Sequence, residues 1–175
     1  GIESKYPKQF SANFVNQKLS VDPITANEVS QALKTTFTYS NIFIQTSLEG
    51  TIAICKNLLA STEEQILILT PTERDAIQTH KLLAEPASAL LHGKTKLPIR
   101  ASLITNWRRG QIKLLIGTRQ SALLPAKKLG LIIITQSSSD DYRITDRNPR
   151  FDVRLATQLQ ADQHNARLIS CDHFP

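Results

Sequence analysis

Short apolar runs alternate with segments of helical pattern along most of the chain. Runs of mostly apolar residues predict buried strands at 42–45, 65–70, 89–92, 112–116, 131–134 and 167–170. Periodic apolar positions and end signals predict helices at about 25–34, 51–60, 72–83, 99–109 and 150–161. This alternation, with short connections, predicts an α/β fold in which helices cover both faces of a parallel sheet. The loops after Gln45, Thr70, Gly117 and Ile134 are then the expected ligand site, because such folds bind ligands at the carboxyl ends of strands.

The ends of several predicted helices carry specific signals. Thr25 with Glu28 fits a capping box, and Thr72 with Asp75 marks the start of another helix. Gly110 is expected to stop the helix that precedes it. The first twenty residues are polar and irregular, so we expect a linker or N-terminal arm at 1–20 and one lobe at 21–175.

Positive charge is concentrated in one part of the chain, whose net charge is +6. No Asp or Glu occurs from Pro86 to Ser139. The same segment contains nine cations, namely Lys94, Lys96, Arg100, Arg108, Arg109, Lys113, Arg119, Lys127 and Lys128. If they fold onto one face, they favour a polyanion as partner, and the alternative is a solvated basic surface without a partner.

Other classes of protein find little support in the sequence. No apolar stretch approaches the roughly 18 to 20 residues of a membrane span, and residues 1–5 lack the hydrophobic region of a signal peptide. We therefore expect a cytoplasmic protein without a membrane partner. Cys55 and Cys171 are far apart in sequence, which favours two reduced, packed thiols over a disulfide or a metal site.

The most specific motif is Gly117-Thr118-Arg119-Gln120-Ser121-Ala122-Leu123-Leu124-Pro125, followed by Lys127-Lys128 and the run 129–134. It resembles the primosomal protein N′ replication-restart helicases of superfamily 2. That family has Gly-Thr-Arg-Ser-Ala-Leu, a Pro, a basic link and a Leu-Gly-Leu-Ile-Ile strand, so Gln120 is an inserted residue. Further matches are Trp107-Arg108-Arg109-Gly110, Tyr142 and the segment 149–154. The likeness covers roughly 25–175 and implies a first RecA-like motor lobe, with a P-loop-type parallel sheet between helices.

The resemblance places the phosphate loop at Gln45 to Ile52. A working loop reads Gly-x-x-x-x-Gly-Lys-Ser/Thr, because its backbone amides and Lys hold the phosphates and its hydroxyl binds Mg²⁺. Here Gln45 opens the loop, and Gly50 is the glycine that remains. Thr51 replaces the Lys and Ile52 replaces the hydroxyl ligand. The loop therefore predicts that ATP and Mg²⁺ are not bound.

The family's acidic motif is also altered. Where its strand ends in Asp-Glu-Glu-His, this chain has Thr135 and Gln136, which carry no negative charge. The family's Gly-Ser-Ala-Thr-Pro motif falls at 170–175 with little of its chemistry retained. Asp140 and Asp141 could in principle bind a metal, but we interpret them as solvated loop acids. We therefore expect no catalytic residue, no cofactor and no metal, since phosphoryl transfer depends on positioning and electrostatics.

Nucleic-acid contact is the activity that the resemblance leaves open. It implies that Thr118 and Arg119 contact the phosphates of a single strand. Trp107 could stack on a base or belong to the core. Arg150 and Arg154 lie four residues apart on one face of the predicted helix, and they could contact DNA or pair with Asp146 or Asp152. The predicted nucleic-acid-binding set is Trp107, Arg108, Arg109, Thr118, Arg119, Lys127, Lys128, Arg150 and Arg154.

The sequence thus favours a catalytically inactive helicase lobe that binds single-stranded or forked DNA, or replication or primosome proteins. One alternative is a protein-interaction scaffold without DNA binding. Another is an ATP-binding helicase lobe with unusual ligands. Because helicases of this kind place nucleotide between two lobes, we expect additional helicase domains outside this chain.

Overall fold

A seven-stranded sheet forms the centre of the molecule. The computed structural model describes residues 17–20, 41–146 and 150–172. In this part its strands are β1 (Gln17–Ser20), β2 (Asn41–Gln45), β3 (Gln65–Leu69), β4 (Ser88–Leu91), β5 (Leu114–Gly117), β6 (Leu129–Ile134) and β9 (Arg167–Asp172). Every pairing among them is parallel, in the order β1-β2-β9-β6-β3-β5-β4. A separate antiparallel pair joins β7 (Arg143–Ile144) to β8 (Phe151–Asp152).

Four α-helices lie between these strands in the described residues. They are α1 (Leu48–Ser61), α2 (Glu73–Leu83), α3 (Leu97–Arg108) and α4 (Val153–His164). Two 3₁₀ helices follow strand ends, η1 (Arg119–Leu123) after β5 and η2 (Asp140–Tyr142) after β6. None of the helices in this part of the chain is long and apolar enough to cross a membrane.

Each face of the sheet contributes to a separate apolar core. Along β3, Ile66 and Ile68 belong to the core formed with α1 and α2. Leu67 and Leu69 belong to the core on the opposite face, with side chains of α3 and α4. Such alternation, with both faces buried, explains why β3 is apolar at every position after Gln65. The predicted helix-covered parallel sheet is confirmed.

Two of the predicted end signals have the expected geometry. The Thr72 hydroxyl accepts a hydrogen bond from the Asp75 amide at 3.2 Å and caps α2. Gly110 has φ +76° and follows α3. The Gly110 amide donates to the Trp107 carbonyl, and the Gln111 amide donates to the Asn106 carbonyl, each at 2.9 Å. These two bonds form a Schellman motif that ends α3.

Several predicted boundaries were wrong. Gln17–Ser20 is an edge strand rather than the end of an irregular arm. Helix α1 begins at Leu48, three residues before the predicted start at Thr51, because Ser47 caps it there. Helix α4 begins at Val153, because the Asp152 carboxylate accepts from the Arg154 amide and caps it there. The predicted helix at 25–34 lies outside the described residues, and the division at residue 20 stays a prediction.

Candidate functional site

The carboxyl ends of the strands meet along one side of the sheet, which we call the carboxyl edge. Hydrogen bonds join neighbouring strand ends there. The Thr46 amide donates to the Asp172 carbonyl at 2.8 Å, which ties β2 to β9. The Thr135 amide donates to the Leu69 carbonyl at 2.9 Å, which ties β6 to β3. The connection that corresponds to the phosphate loop and the strand end that corresponds to the acidic motif both lie along this edge.

The connection that corresponds to a phosphate loop is short. Only Thr46 and Ser47 separate β2 from α1. The Ser47 hydroxyl accepts from the Gly50 amide at 3.1 Å, and the Ser47 carbonyl accepts from the Thr51 amide at 2.9 Å. A Cβ at Gly50 would lie 2.0 Å from the Thr46 hydroxyl oxygen. Amides that could face phosphates in an open loop are thus occupied by contacts within the protein.

The side chains at the Lys and hydroxyl positions of the loop are buried. Thr51 has 0% exposure, and its hydroxyl donates to the Ser47 carbonyl at 3.1 Å. Ile52 is 7% exposed and belongs to the core under α1. No Lys or Arg occurs between Asn41 and Cys55, and Glu49 is exposed. The start of α1 therefore offers no side-chain cation to a phosphate.

Two buried thiols lie behind this connection. Burial raises the pKa of the Cys171 thiol to about 12, and the nearby Asp172 carboxylate adds to this shift, while a hydrogen bond from Thr51 opposes it. Burial also raises the pKa of Cys55 well above its ordinary value, and Cys171 adds to this shift. Both cysteines are free and buried, so the prediction of two reduced, packed thiols is confirmed.

Neutral groups close the end of β6, where an active motor has its acidic pair. Thr135 is 2% exposed, and its hydroxyl donates to the Leu69 carbonyl at 3.2 Å. The Tyr142 hydroxyl lies 2.7 Å from the Thr135 carbonyl and 3.0 Å from the Leu69 carbonyl. Burial raises the pKa of Tyr142 well above its ordinary value, although its hydrogen bond to Thr135 opposes the shift. Gln136 follows with φ +47°. The residues that replace the acidic pair are therefore neutral, and Thr135 is buried among hydrogen-bond partners.

The acids that follow β6 lie in solvent. Asp140 and Asp141 are exposed, and Asp140 pairs with Arg143 at 3.1 Å. The Asp141 amide donates to the Ser139 hydroxyl at 3.3 Å, so this segment is a capped 3₁₀ turn. Their interpretation as solvated loop acids is confirmed. In the parts of the chain that the structure describes, no group of three or more His, Cys, Asp or Glu side chains could hold a metal.

The predicted nucleic-acid-binding residues do not form one surface. Thr118 and Arg119 follow β5 and lie at the carboxyl edge. Arg108 and Arg109 precede β5, and Lys127 and Lys128 precede β6. These four cations lie at the opposite side of the sheet, where the strands begin, which we call the amino edge. Proximity in sequence to one motif did not predict this separation, because each strand carries the chain from one edge to the other.

Trp107 is a core residue. It is 1% exposed and belongs to the core between the sheet, α3 and α4. The prediction that it stacks on a base was wrong, because its ring is covered by apolar neighbours. The alternative of a core tryptophan is confirmed.

Arg150 and Arg154 do not share a helical face. Arg150 is exposed and precedes α4, whereas Arg154 lies in the first turn of that helix. Arg154 pairs with Asp152 at 2.6 Å and donates to the Ser137 carbonyl at 2.9 Å. The hydrogen bond from Arg154 holds the pKa of the Asp152 carboxyl below its usual value. Pairing with Asp152, the alternative to DNA contact, is confirmed for Arg154.

Carboxylates from other segments pair with part of the basic segment. Lys94 pairs with Glu73 at 3.2 Å, Lys113 lies 3.9 Å from Glu63, and Lys128 pairs with Glu64 at 2.8 Å. Pairs this exposed contribute about 0–1 kcal/mol to stability. Three of the nine cations, which have no acid near them in the sequence, therefore lie beside a carboxylate in the folded chain.

Sequence reasoning missed two cations at the carboxyl edge. Lys96 is the N-cap residue of α3, without a side-chain capping bond, and Arg100 lies in the first turn of that helix. The Arg100 guanidinium donates to the Gln120 side chain, which brings the start of α3 beside η1. Lys96 is one helical turn before Arg100, and Arg119 directly precedes Gln120. The inserted Gln120 was the available signal, but its partner could not be read from the sequence.

Comparison with known proteins supports the resemblance to replication-restart helicases that was based on the motif at 117–134. The chain is 32% identical over 111 residues to the replication restart protein PriA of Buchnera aphidicola subsp. Schizaphis graminum. It is 25% identical over 149 residues to PriA of Chlamydia muridarum. The predicted resemblance to the replication-restart helicases is confirmed. These matches cover 60% and 82% of this chain but only 15% and 20% of the two relatives, and no family model matches.

Solved structures with a similar fold are helicase domains. RecG bound to a three-way DNA junction matches 85% of this chain and 20% of its own, with a TM-score of 0.56 and 17% identity. A DEAD box protein from Methanococcus jannaschii matches 86% of this chain and 43% of its own, with a TM-score of 0.54 and 16% identity. At such low identity the likeness concerns the fold, which is RecA-like as predicted.

Proposed function

We propose that this chain is a cytoplasmic, helicase-like lobe related to PriA that binds a DNA strand at its carboxyl edge without hydrolysing ATP. Arg119, Lys96 and Arg100 would contact phosphates of that strand, whereas Thr118 is buried at 9% exposure. The role is structural, as one part of a larger replication assembly with further helicase domains and replication or primosome proteins.

The main observation in favour of a lobe that does not hydrolyse ATP is the β2–α1 connection. Ser47 begins a capped helix where an open loop would be needed, and Thr51 and Ile52 are buried instead of facing phosphates. Hydrogen bonds to charged groups contribute about 1.5–3 kcal/mol each, so loss of the Lys and the hydroxyl removes much of the affinity for nucleotide. The neutral end of β6 supports the same conclusion, because Thr135 and Gln136 stand where an active motor carries the carboxylates that hold Mg²⁺.

The DNA half is supported by charge and by structural relatives. Arg119 follows β5, and Lys96 begins α3 after the loop that follows the neighbouring β4. No carboxylate in the described part of the chain pairs with either of them. RecG and the helicase Lhr were solved with a DNA junction and with single-stranded DNA respectively. A guanidinium can bind a phosphate through two parallel hydrogen bonds. This lobe would therefore follow a strand's backbone without reading its bases.

Two titrations test the proposal. An oligo-dT single strand should bind at low salt and weaken as salt rises, and Arg119→Gln should lower both the affinity and the salt dependence. ATP with Mg²⁺ should produce no heat of binding and no hydrolysis above background. Absence of oligo-dT binding at low salt would contradict the proposed DNA binding. Mg²⁺-dependent ATP hydrolysis that needs Asp140 or Asp141 would favour an ATPase with unusual ligands.

An interaction scaffold without DNA binding is the second candidate, and one observation favours it. Leu155 and Leu159 lie four residues apart on α4 and are 62% and 54% exposed. Exposed leucines on one helical face are typical of protein contacts. Absence of DNA binding, together with a change in the chain's state of association in a Leu155→Ser and Leu159→Ser variant, would favour the scaffold.

A further inference from the structure

The amino edge carries a cluster of positive charge that is separate from the proposed strand-binding residues. We call it the amino-edge cluster, and it consists of Arg108, Arg109, Lys113, Lys127 and Lys128. Glu63 and Glu64 lie beside it and pair with Lys113 and Lys128. Five cations thus face two carboxylates. The remaining three cations have no carboxylate partner among the residues that the structure describes.

A single buried amide holds the two halves of this cluster together. The Gln65 side chain donates to the Trp107 carbonyl at 2.8 Å and to the Ile112 carbonyl at 3.0 Å. Its amide oxygen accepts from the Lys127 and Lys128 amides at 2.8 and 3.0 Å. The turn after α3 and the segment before β6 are therefore fixed side by side, although they lie far apart in sequence.

The turn that carries Arg109 is also rigid. Two backbone hydrogen bonds close the Schellman motif around Gly110. A Cβ at Gly110 would lie 2.9 Å from Cδ of Lys127, so the Lys127 stem lies directly against this turn. A ligand that binds here meets cations on a preorganised backbone, which lowers the ordering cost of binding.

Stabilisation of α3 explains only part of the cluster. Cations in the last turn of a helix interact favourably with its dipole, by about 0.3–1 kcal/mol. Arg108 and Arg109 are placed for this role. Lys127 and Lys128 belong to a loop and have no helix to stabilise. Their position beside Arg109 calls for a different explanation, such as an anionic ligand.

We propose that the amino-edge cluster binds the phosphate backbone of a DNA duplex. Nonspecific single-strand sites use exposed aromatic rings as stacking platforms, and Trp107 is buried here. Protein interfaces have an apolar centre, and none of the large exposed apolar side chains in the described residues lies in the two segments that form the cluster, 108–113 and 127–128. Cations on a fixed backbone without either feature fit a duplex, which presents phosphates outward and shields its bases.

This duplex site differs from the strand site of the proposed function. Strand β3 runs from one edge to the other over five residues, which corresponds to roughly 16 Å at about 3.3 Å per residue. The lobe would therefore hold a single strand along one edge and a duplex arm along the other. Such an arrangement suits a branched DNA substrate.

Binding of a short blunt-ended duplex and of oligo-dT to the 175-residue chain, measured over a range of salt concentrations, tests the proposal. The Arg109→Gln and Lys127→Gln double variant should bind the duplex about tenfold more weakly and lose about two units of salt slope, since each phosphate contact contributes about 0.9. Its affinity for oligo-dT should change less than about twofold. The Arg119→Gln and Lys96→Gln variant should show the reverse pattern, so each site can fail independently.

A double variant of equal charge, Arg74→Gln with Lys81→Gln, provides the control, because both cations are exposed on α2 and neither belongs to the amino-edge cluster. Thermal unfolding should show that all three variants fold. Unchanged duplex affinity in the amino-edge variant, or a loss no larger than in the control, would overturn the proposal. So would a variant that loses binding to poly-glutamate but keeps the duplex, because the cluster would then recognise an acidic protein.

Discussion

At the scale of single residues, this lobe has buried neutral side chains at positions where active motors carry charge. The hydroxyl groups of these side chains form hydrogen bonds with the protein's own backbone. Thr51 and Thr135 occupy positions of charge in active motors, and each donates its hydroxyl to a backbone carbonyl. Tyr142 adds a third hydroxyl at the end of β6. These groups remove polar backbone atoms from contact with ligands. The clearest consequences can be measured as stability.

Gln65 is expected to be one of the residues on which stability depends most. Replacement by Leu keeps the volume but leaves the carbonyls of Trp107 and Ile112 and the amides of Lys127 and Lys128 without this partner. Buried polar groups without partners cost about 1–3 kcal/mol each, and the Trp107 carbonyl keeps its bond from the Gly110 amide, so loss of the other three bonds should lower the free energy of unfolding by at least about 3 kcal/mol. Urea denaturation measures this change. Gln78→Leu, at an exposed position of α2, is the control, and equal effects of both would contradict the prediction.

Stability should also depend on pH through Cys171. Its pKa is about 12 in the folded chain against an ordinary value of 9.0. Because the folded pKa is the higher one, the contribution is complete below pH 9 and is lost as pH rises from about 9 to about 12. Cys171→Ala should reduce the fall in unfolding free energy over this interval. Measurements of unfolding at a series of alkaline pH values would contradict the idea if the two proteins lost stability in parallel.

At the scale of elements, the sequence predicted whether a segment is a helix or a strand better than it predicted the residues at which that segment begins and ends. The apolar runs identified the buried strands, because a parallel strand covered on both faces must be apolar almost throughout. The start of α1 was misplaced, because the resemblance to a phosphate loop suggested an open segment where Ser47 caps a helix. Strand β1 was missed because Gln17–Ser20 is polar and lies at an edge of the sheet.

The turn that ends α3 gives a prediction at this scale. Gly110 has φ +76°, and an added Cβ would contact the Lys127 side chain. Left-handed backbone costs a non-glycine residue about 1–2 kcal/mol, so Gly110→Ala should destabilise by about that amount. Gly93→Ala provides the matched control, since nothing lies within 4 Å of its added Cβ. Thermal unfolding of both variants checks the difference, and a Gly110→Ala protein as stable as the control would contradict the role of the turn.

At the scale of the whole molecule, the sheet separates two kinds of chemistry. On the carboxyl edge, buried Thr46 and Thr135 close the ends of β2 and β6. The half-buried Arg119 lies beyond β5 on that edge, and exposed cations precede β5 and β6 on the other. The sequence predicted the identity of these cations but not their division between edges, because that depends on which end of each strand they flank. The sequence therefore predicted which residues belong to the candidate site, but only partly where they lie on the sheet.

Restoring one motor residue should not restore nucleotide binding. In Thr51→Lys, the new ammonium would replace a side chain that has 0% exposure and lies in a helix already capped by Ser47. A buried unpaired charge is costly, so the variant should lose more than about 3 kcal/mol of stability or rearrange the start of α1. Titration with ATP and Mg²⁺ should give no heat of binding, and ATP should not raise the melting temperature. A ligand present at 100 times its Kd would stabilise the fold by about 2.7 kcal/mol, so even modest affinity would be visible as a shift in melting temperature. Such a shift would mean that the β2–α1 connection can still open into a phosphate loop, and that only its Lys had been lost.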